Sequence, residues 1–393
     1  MKELLKSAKA IQKELVLIRR RLHHTPEVGF AVEKTKEFLT EKLKELGIAA
    51  QACGKSLTAE IGQGERIFLL RADIDGLPIK EETALPFASK NGNMHACGHD
   101  LHAVMLFGAA KLLKERENGL KGRVRLLFQA AEESLEGAKN AVEHGVLDGV
   151  KGAMMAHVLT NAPLPVGKII VASGTSAPAA DYFKIVLKGK GCHGSTPWNG
   201  VDALNAAAYT VSALNGISAR EIPIETPAVL TVGSLLAGQS GNVIADRAEL
   251  NGTLRAFDES LRQRLKKRIA EITQGVGKTF GAKGKLTFGG GCPTLINDDS
   301  LGKLAVSVLR KGLGKDGALL STQLDGENKS RNGGSEDFAT ISHKVPSIML
   351  AVAAGERAKG YEYPLHHPKV KFDEGALSIG AFAYAAIALE YLR

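Results

Sequence analysis

The alternation of short apolar runs with helical patterns is the feature that most constrains the fold of this chain. Strand-length apolar runs occupy 66–72, 123–128 and 152–158, and helical patterns follow residues 99 and 137. Parallel strands need a crossover connection, usually a helix, so this alternation favours a largely parallel α/β sheet. The chain opens with apolar residues at helical spacing, which predict an amphipathic helix up to about residue 25: Leu4, Ala8, Ile11, Leu15, Ile18 and Leu22.

The rhythm changes at about residue 181. Strand and helix patterns then follow in the order β-α-β-β-α-β, which is the order of a ferredoxin-like α+β unit. After the glycines at 289–291 the α/β rhythm resumes. Candidate site residues occur on both sides of this segment, so we interpret it as an insert. The predicted organisation is one main domain in two parts, 1–180 and 291–393, with an inserted satellite domain at 181–290.

Composition and charge argue against nucleic acid as a partner. The net charge is +9 in 393 residues, but the basic residues are scattered along helical faces such as 36–44 and 262–268. Such residues are typical of solvated helix surfaces. The aromatic share of 5% is also low for a protein that stacks bases.

The sequence favours a cytoplasmic protein with no membrane partner. The start has no apolar core of the kind found in signal peptides, and the longest apolar stretch, 376–389, is too short to span a bilayer. The cysteines lie far apart and form no CxxC pair. Their spacing is typical of a reducing compartment.

The segment 94–102 (MHACGHDLH) concentrates groups that bind metals. It holds three histidines, a cysteine and an aspartate, and further histidines and an acidic pair occur at 132–133, 157 and 366–367. Thiolate, imidazole and carboxylate together suit zinc or manganese. A spare carboxylate beside them is the proton acceptor that a metal-activated water needs. These residues indicate a metal-dependent hydrolase.

The predicted strand ends support this interpretation. Asp73 and Asp75 follow one apolar run, Glu132-Glu133 follow the next, and His157 lies in the third. In an open α/β sheet the carboxyl ends of the strands are the usual place for a site. One glycine separates Cys97 from His99, and it allows a tight turn that presents both side chains to one point. Isolated buried cysteines and core histidines are common, and His95 and His102 are interpreted as structural or supporting residues.

Eight motifs resemble, in the same order, a family of metallo-amidohydrolases. The family includes bacterial aminoacylases, hippurate hydrolase, auxin-conjugate hydrolases and N-acetyldiaminopimelate deacetylase. The motifs are 71–78 (RADIDGLP), 95–100 (HACGHD), 128–133 (FQAAEE), 189–193 (GKGCH), 242–246 (NVIAD), 252–255 (GTLR), 334–338 (GSEDF) and 365–368 (LHHP). The resemblance extends over nearly the whole chain.

The resemblance implies one or two divalent metal ions, zinc or manganese first and cobalt or nickel as alternatives. The residues it assigns as metal ligands are Cys97, His99, Glu133, His157 and His366.

Catalytic and substrate-binding roles follow from the same resemblance. Glu132 takes the general-base position, and His193 polarises the scissile carbonyl, often in the site of a partner subunit. Asn242 and Arg255 match positions that hold the carboxylate or amide of the substrate, and Asp73 matches a residue that orients a ligand. The main domain is then catalytic, and the satellite is a lid and dimerisation domain of a homodimer or larger homo-oligomer.

The implied reaction is cleavage of N-acyl amino acids, such as N-acetyl or N-benzoyl derivatives, to a carboxylic acid and a free amino acid. A metal-dependent dipeptidase or carboxypeptidase is the first alternative. A non-hydrolytic metal-binding paralogue and an amidase with Cys97 as nucleophile are further alternatives.

Overall fold

The computed structural model describes residues 1–324 and 333–393, which divide into two compact units. The first unit contains residues 1–176, 296–324 and 337–393, and the second contains 177–295 and 333–336. Each unit has a hydrophobic core of its own.

The first unit contains a large sheet and helices packed on it, numbered here in chain order. Its helices are α1 (Lys2–Ala10), α2 (Gln12–His24), α3 (Glu33–Glu45), α4 (His99–Lys114), α5 (Gly137–Glu143), α8 (Asp299–Leu313), α9 (Ala339–Ser342) and α10 (Ala376–Tyr391). The strands of the sheet are β1 (Ala50–Cys53), β2 (Ser56–Gly62), β3 (Ile67–Asp73), β4 (Arg123–Gln129), β5 (Val150–Leu159), β6 (Ile169–Val171), β15 (Ala318–Leu320) and β16 (Ser347–Ala353).

The eight strands lie in the order β1-β2-β4-β3-β5-β16-β6-β15. The pairs β4–β3, β3–β5, β5–β16 and β6–β15 are parallel, whereas β1–β2, β2–β4 and β16–β6 are antiparallel. The mostly parallel α/β sheet predicted from the sequence is therefore confirmed. Every residue of β3 is buried, as is typical of a central parallel strand covered on both faces.

Two glycine-containing helices pack closely over this sheet. Helix α4 is buried along most of its length and α10 lies against it. A Cβ atom on Gly108 would come within 2.7 Å of the Ala381 Cβ atom, which is too close for van der Waals contact. The glycine therefore allows an approach that a larger residue would prevent.

The second unit is built around a smaller sheet. Its elements are β8 (Ala179–Lys188), α6 (Ala203–Arg220), β10 (Ala228–Ala237), β12 (Arg247–Ala256), α7 (Glu259–Thr279) and β13 (Lys283–Cys292). The strands form an antiparallel sheet in the order β10-β12-β8-β13, and residues of α6 and α7 complete the core. A short pair, β9 (Cys192–His193) with β11 (Val243–Ile244), also belongs to this unit, whereas most residues of a second pair, β7 (Gly174–Ala177) with β14 (Leu295–Asn297), belong to the first.

Aspartate caps begin both long helices of this unit. The Asp202 side chain accepts from Asn205 N at 3.0 Å, and the Asp258 side chain accepts from Leu261 N at 2.7 Å. Each bond satisfies an amide that has no partner inside its helix.

The opening of the chain differs from the sequence prediction. The apolar spacing from Leu4 to Leu22 predicts one helix, but the structure has two, α1 and α2, separated at Ile11 with φ −89° and ψ 2°. The break keeps the apolar period and lets α1 pack on α10 and α8 while α2 packs on α4. Tertiary packing therefore decides a boundary that periodicity does not reveal.

Among the helices of residues 1–324 and 333–393, none combines the length and apolar character needed to cross a lipid bilayer.

His23 joins α2 to neighbouring segments through a buried cluster of charges. Its Nδ1 atom lies 2.8 Å from Asp100 Oδ2 and its Nε2 atom lies 3.1 Å from Glu81 Oε1. Burial lowers the pKa of His23, but the two carboxylates raise it by more, so the pKa is above its ordinary value.

We expect His23→Gln to destabilise the protein more at about pH 6 than at about pH 8.5. A pKa raised in the folded state adds stability that is complete while the unfolded histidine is protonated. That stability is lost as the pH rises through the folded-state pKa. Chemical unfolding at the two pH values measures the difference, with His24→Gln as the control. A destabilisation that does not change with pH would contradict this account of the cluster.

Candidate metal centre

The carboxyl ends of β3, β4 and β5 carry most of the candidate site. These strands are parallel neighbours, so their ends lie at one edge of the sheet. Asp73 ends β3, the pair Glu132-Glu133 follows β4, and His157 lies near the carboxyl end of β5. The edge therefore collects acidic and imidazole side chains, as the sequence predicts.

Gly98 brings Cys97 and His99 to this edge. It has φ +90° and directly precedes α4. A Cβ atom at this position would collide with the side chains of Val158 and Phe372. Only glycine fits such a backbone conformation and so close an approach without strain.

All five predicted metal ligands of the first unit meet in one cluster. Potential ligand atoms lie within 4.8 Å of one another in the sets Cys97/His99/His157, Cys97/Glu133/His366 and His99/Glu132/Glu133. The Cys97 Sγ atom lies 3.4 Å from His157 Nε2 and 3.3 Å from His366 Nε2. Glu132, the predicted general base, has Oε2 3.8 Å from His99 Nε2.

Buried polar atoms in this cluster fit a bound cation. Within the described parts of the chain, both ring nitrogens of His99 and the Oε1 atom of Glu133 are buried without a partner in hydrogen-bond geometry. Unpaired buried polar atoms are costly and rare. A thiolate, imidazoles and a carboxylate arranged in this way match the ligands of a borderline-soft divalent metal.

A hydrogen bond to the backbone orients the ring of His157. Its Nδ1 atom lies 2.8 Å from the carbonyl oxygen of Val158. Because a carbonyl only accepts, Nδ1–H is the donor, and Nε2 keeps its lone pair toward Cys97. A hydrogen bond from the second ring nitrogen is typical of metal-binding histidines.

The protonation of the cluster is governed by burial. Burial raises the pKa of the Cys97 thiol far above its ordinary value, and it raises the pKa of Glu133 to about 7 although His99 opposes this shift. Burial lowers the pKa of His99, but Asp73 and Cys97 raise it by more. A divalent cation reverses this balance, since the thiolate and carboxylate then face a positive charge.

Asp75 accepts hydrogen bonds from the backbone of the acidic pair, Glu132 and Glu133. Its carboxylate accepts from Glu132 N at 3.1 Å and from Glu133 N at 3.3 Å. Ala131, just before the pair, has φ +58°. These bonds fix the backbone of the pair, and both carboxylates lie 3.8 Å from His99 Nε2. The sequence places Asp75 at the strand end but does not reveal this bond, because it depends on the contact between β3 and the segment after β4.

Asp73 and His102 adjoin the cluster at His99, since potential ligand atoms of these three residues lie within 4.8 Å of one another. His102 Nδ1 lies 2.6 Å from Asp73 Oδ1, and burial lowers the pKa of His102 to about 3. Burial also lowers the pKa of His95 to about 4. Both histidines are buried, and neither contributes to the sets that contain Cys97.

The second unit carries His193 and Asn242 side by side. His193 in β9 pairs with Val243 in β11, and Asn242 O accepts from Gly194 N at 2.7 Å. The Nδ1 atom of His193 accepts from the backbone N–H of Ser195 at 3.1 Å. Because this amide can only donate, the proton of the neutral ring lies on Nε2, which is then a hydrogen-bond donor.

Arg255 lies elsewhere in the second unit, on β12. Its Cζ atom is 5.4 Å from the ring centroid of Tyr182, and its Nη1 atom is buried without a hydrogen-bond partner within residues 1–324 and 333–393. A buried guanidinium nitrogen of this kind is suited to an anionic group.

Comparison with known proteins identifies the family. Residues 69–390 match the family described as peptidase family M20/M25/M40. The chain belongs to this family.

Several M20 relatives are similar over most of the chain. An N-acetyl-L-cysteine deacetylase of Bacillus subtilis is 37% identical over 373 residues, which are 93% of this chain and 85% of the relative. A thermostable carboxypeptidase 1 of Saccharolobus solfataricus is 32% identical over 401 residues, covering 100% of this chain and 98% of the relative.

Among M20 proteins of known structure, the YXEP protein of Bacillus subtilis is described as a dinuclear metal-binding peptidase. It is 34% identical, covers 98% of this chain and 99% of its own, and superposes with a TM-score of 0.79.

Proposed function

We propose that this chain is a metal-dependent amidohydrolase that cleaves N-acyl amino acids to a carboxylic acid and a free amino acid. The observation that carries the proposal is the cluster of Cys97, His99, Glu133, His157 and His366 beside Glu132. The identity of 37% to a protein named N-acetyl-L-cysteine deacetylase supports the substrate class.

The metal would be held by two sets of side chains that share Cys97. One set adds His99 and His157, and the other adds Glu133 and His366. One or two divalent ions fit this arrangement, with zinc or manganese first and cobalt or nickel as alternatives. When bound, the ions supply a Lewis acid for the amide carbonyl and lower the pKa of the attacking water.

Glu132 moves the proton. Its side chain is buried, and its backbone is fixed by Asp75. We assign it to accept the proton of the attacking water and to pass that proton to the amine nitrogen as the C–N bond breaks.

The second unit supplies groups for the substrate. The Nε2–H of His193 is assigned to the carbonyl oxygen as it gains negative charge. Ser240 Oγ donates to Asn242 Oδ1 at 2.6 Å, so the Asn242 amide presents its N–H groups. We assign these N–H groups and the Arg255 guanidinium to the carboxylate or amide of the substrate.

We further propose that the first unit is the catalytic domain and the second is an inserted ferredoxin-like satellite domain. The order β8-α6-β10-β12-α7-β13 and the antiparallel sheet support this assignment. In this proposal the satellite acts as lid and dimerisation domain of a homodimer or larger homo-oligomer. The free cysteines support a cytoplasmic location.

Two alternatives differ in their chemistry. The relative named thermostable carboxypeptidase 1 favours a peptidase as the second candidate. A cysteine nucleophile is disfavoured, because burial raises the pKa of the Cys97 thiol and a thiolate is the reactive form.

Removal of metal is expected to abolish hydrolysis, and readdition of zinc, manganese, cobalt or nickel is expected to restore it. The assay compares N-acetyl, N-benzoyl and N-succinyl amino acids with dipeptides, and elemental analysis counts the ions. Cys97→Ser should lower metal content and activity together, because a ligand is lost. Full activity in the metal-free protein would contradict the proposed function, and faster cleavage of dipeptides would favour the peptidase.

Glu132→Gln is expected to reduce turnover by ~10²–10⁴-fold, because the amide keeps the shape of the side chain but cannot accept a proton. Metal content should stay at the wild-type value. Glu143→Gln, on the exposed face of α5, is the control. If Glu132→Gln loses metal but keeps its activity per ion, Glu132 is a ligand and our assignment is wrong.

His193→Ala is expected to reduce turnover by ~10²–10³-fold with unchanged metal content, because one donor to the oxyanion is lost. Mixing Glu132→Gln chains with His193→Ala chains tests whether His193 acts in a partner subunit. Recovery of activity after subunit exchange supports action across subunits. No recovery despite demonstrated exchange assigns His193 to its own chain or excludes the role.

A further inference from the structure

Arg71 is a fully buried charge at the centre of the first unit. It lies on β3, and its side chain has no exposed surface. Its Nε atom donates to Gln129 Oε1 at 2.9 Å, Nη1 donates to Asp73 Oδ2 at 2.8 Å, and Nη2 donates to Asp337 Oδ1 at 2.9 Å. The guanidinium therefore joins β3, the end of β4 and the segment before α9.

Asp337 is equally well satisfied. Its carboxylate accepts twice from Gln129 Nε2, at 2.8 and 2.9 Å, and once from Ala138 N at 2.8 Å. Burying two charges is costly, and it is tolerated when further hydrogen bonds complete both groups. The pair between Arg71 and Asp337 meets this condition.

The network continues from Arg71 to the backbone beside a metal ligand. Asp73 uses Oδ2 for Arg71 and Oδ1 for His102 Nδ1, at 2.6 Å. Val158 N donates to His102 Nε2 at 2.8 Å. An amide can only donate, so His102 Nε2 carries no proton and Nδ1–H donates to Asp73.

The peptide groups of Val158 connect this network to His157. Val158 N–H is held by His102, and Val158 C=O accepts from His157 Nδ1 at 2.8 Å. The orientation of the His157 ring thus depends on the backbone at Val158, which His102 holds in place.

We propose that Arg71 and Asp337 are positioning residues that hold the His157 ring in its metal-binding orientation through Asp73, His102 and the Val158 peptide. The inference rests on the proposed function, because it takes His157 as a metal ligand. Supporting bonds of this kind change metal affinity by ~10–100-fold when they are removed. A purely structural pair would change the free energy of unfolding and leave metal affinity unchanged.

The test compares two buried carboxylates that pair with arginine. Asp337→Asn removes one charge from the network, and Asp181→Asn removes the partner of Arg262, whose Nε and Nη2 atoms lie 2.6 and 2.9 Å from Asp181. The control lies in the second unit. Both variants should lower the free energy of unfolding, since both leave an arginine less well paired.

Metal binding separates the two explanations. Zinc and cobalt are titrated into metal-free protein against a competing chelator, and the visible bands of bound cobalt report the thiolate and the ligand geometry. We expect Asp337→Asn to raise the dissociation constant of at least one ion by ~10–100-fold and to shift the cobalt bands, with Asp181→Asn unchanged in both. Equal affinities for wild type and Asp337→Asn overturn the inference. A wild-type protein that binds neither metal overturns the proposed function and this inference with it.

If Asp337→Asn does not fold, a second pair of variants tests whether the bond between His102 and Val158 N affects metal binding. In His102→Gln the amide oxygen can reach the position where Nε2 accepts from Val158 N. In His102→Asn the shorter side chain can keep the bond to Asp73 but not the bond to Val158. Tighter zinc binding by His102→Gln than by His102→Asn supports the inference, and equal zinc affinities of the two variants overturn it.

Discussion

The parallel pairing of β3 with both β4 and β5 is the interaction on which the rest of the candidate centre depends. In this register Asp73 lies opposite Gln129, and Arg71 lies opposite Met155. A shift by one residue would turn the side chains of β3 to the other face of the sheet. Arg71 and Asp73 would then lose their partners, and the acidic pair after β4 would no longer lie beside Asp75. The main-chain ladder therefore sets the chemistry at its carboxyl edge.

Burial makes it costly to ionise the acidic candidate ligands of the cluster. The chain places a thiol, carboxylates and imidazoles where water is excluded, and burial accordingly raises the pKa of Cys97 and Glu133. These shifts are unfavourable for the ionised groups on their own. A divalent ion compensates for them, so metal binding and proton release are coupled in such a site. The same argument explains why, among the residues that the structure describes, the buried ring nitrogens of His99 have no partner in hydrogen-bond geometry.

Short sequence patterns predict the features of this protein that depend on neighbouring residues in the chain. The strand ends, the glycine between Cys97 and His99, and the parallel sheet could be predicted because each leaves a short signal in the sequence. The Arg71–Asp337 pair joins residues 266 positions apart, and no spacing rule connects them. The boundary between α1 and α2 at Ile11 was missed for a related reason, since the break preserves the apolar period. Strand β2 was also missed, although apolar and polar residues alternate along it (SLTAEIG), and the four residues of β1 (AQAC) are too few to show a pattern.

Three histidines share one physical device, a backbone group that fixes which ring nitrogen carries the proton. His157 donates to a carbonyl, whereas His102 and His193 each accept from an amide. A side-chain hydroxyl can donate or accept, but a peptide N–H or C=O has one role only. His157 is therefore left with an acceptor nitrogen, as a metal ligand requires, and His193 with a donor nitrogen, as an oxyanion requires. The two functions that we propose for these histidines therefore call for opposite backbone partners, a carbonyl for His157 and an amide for His193.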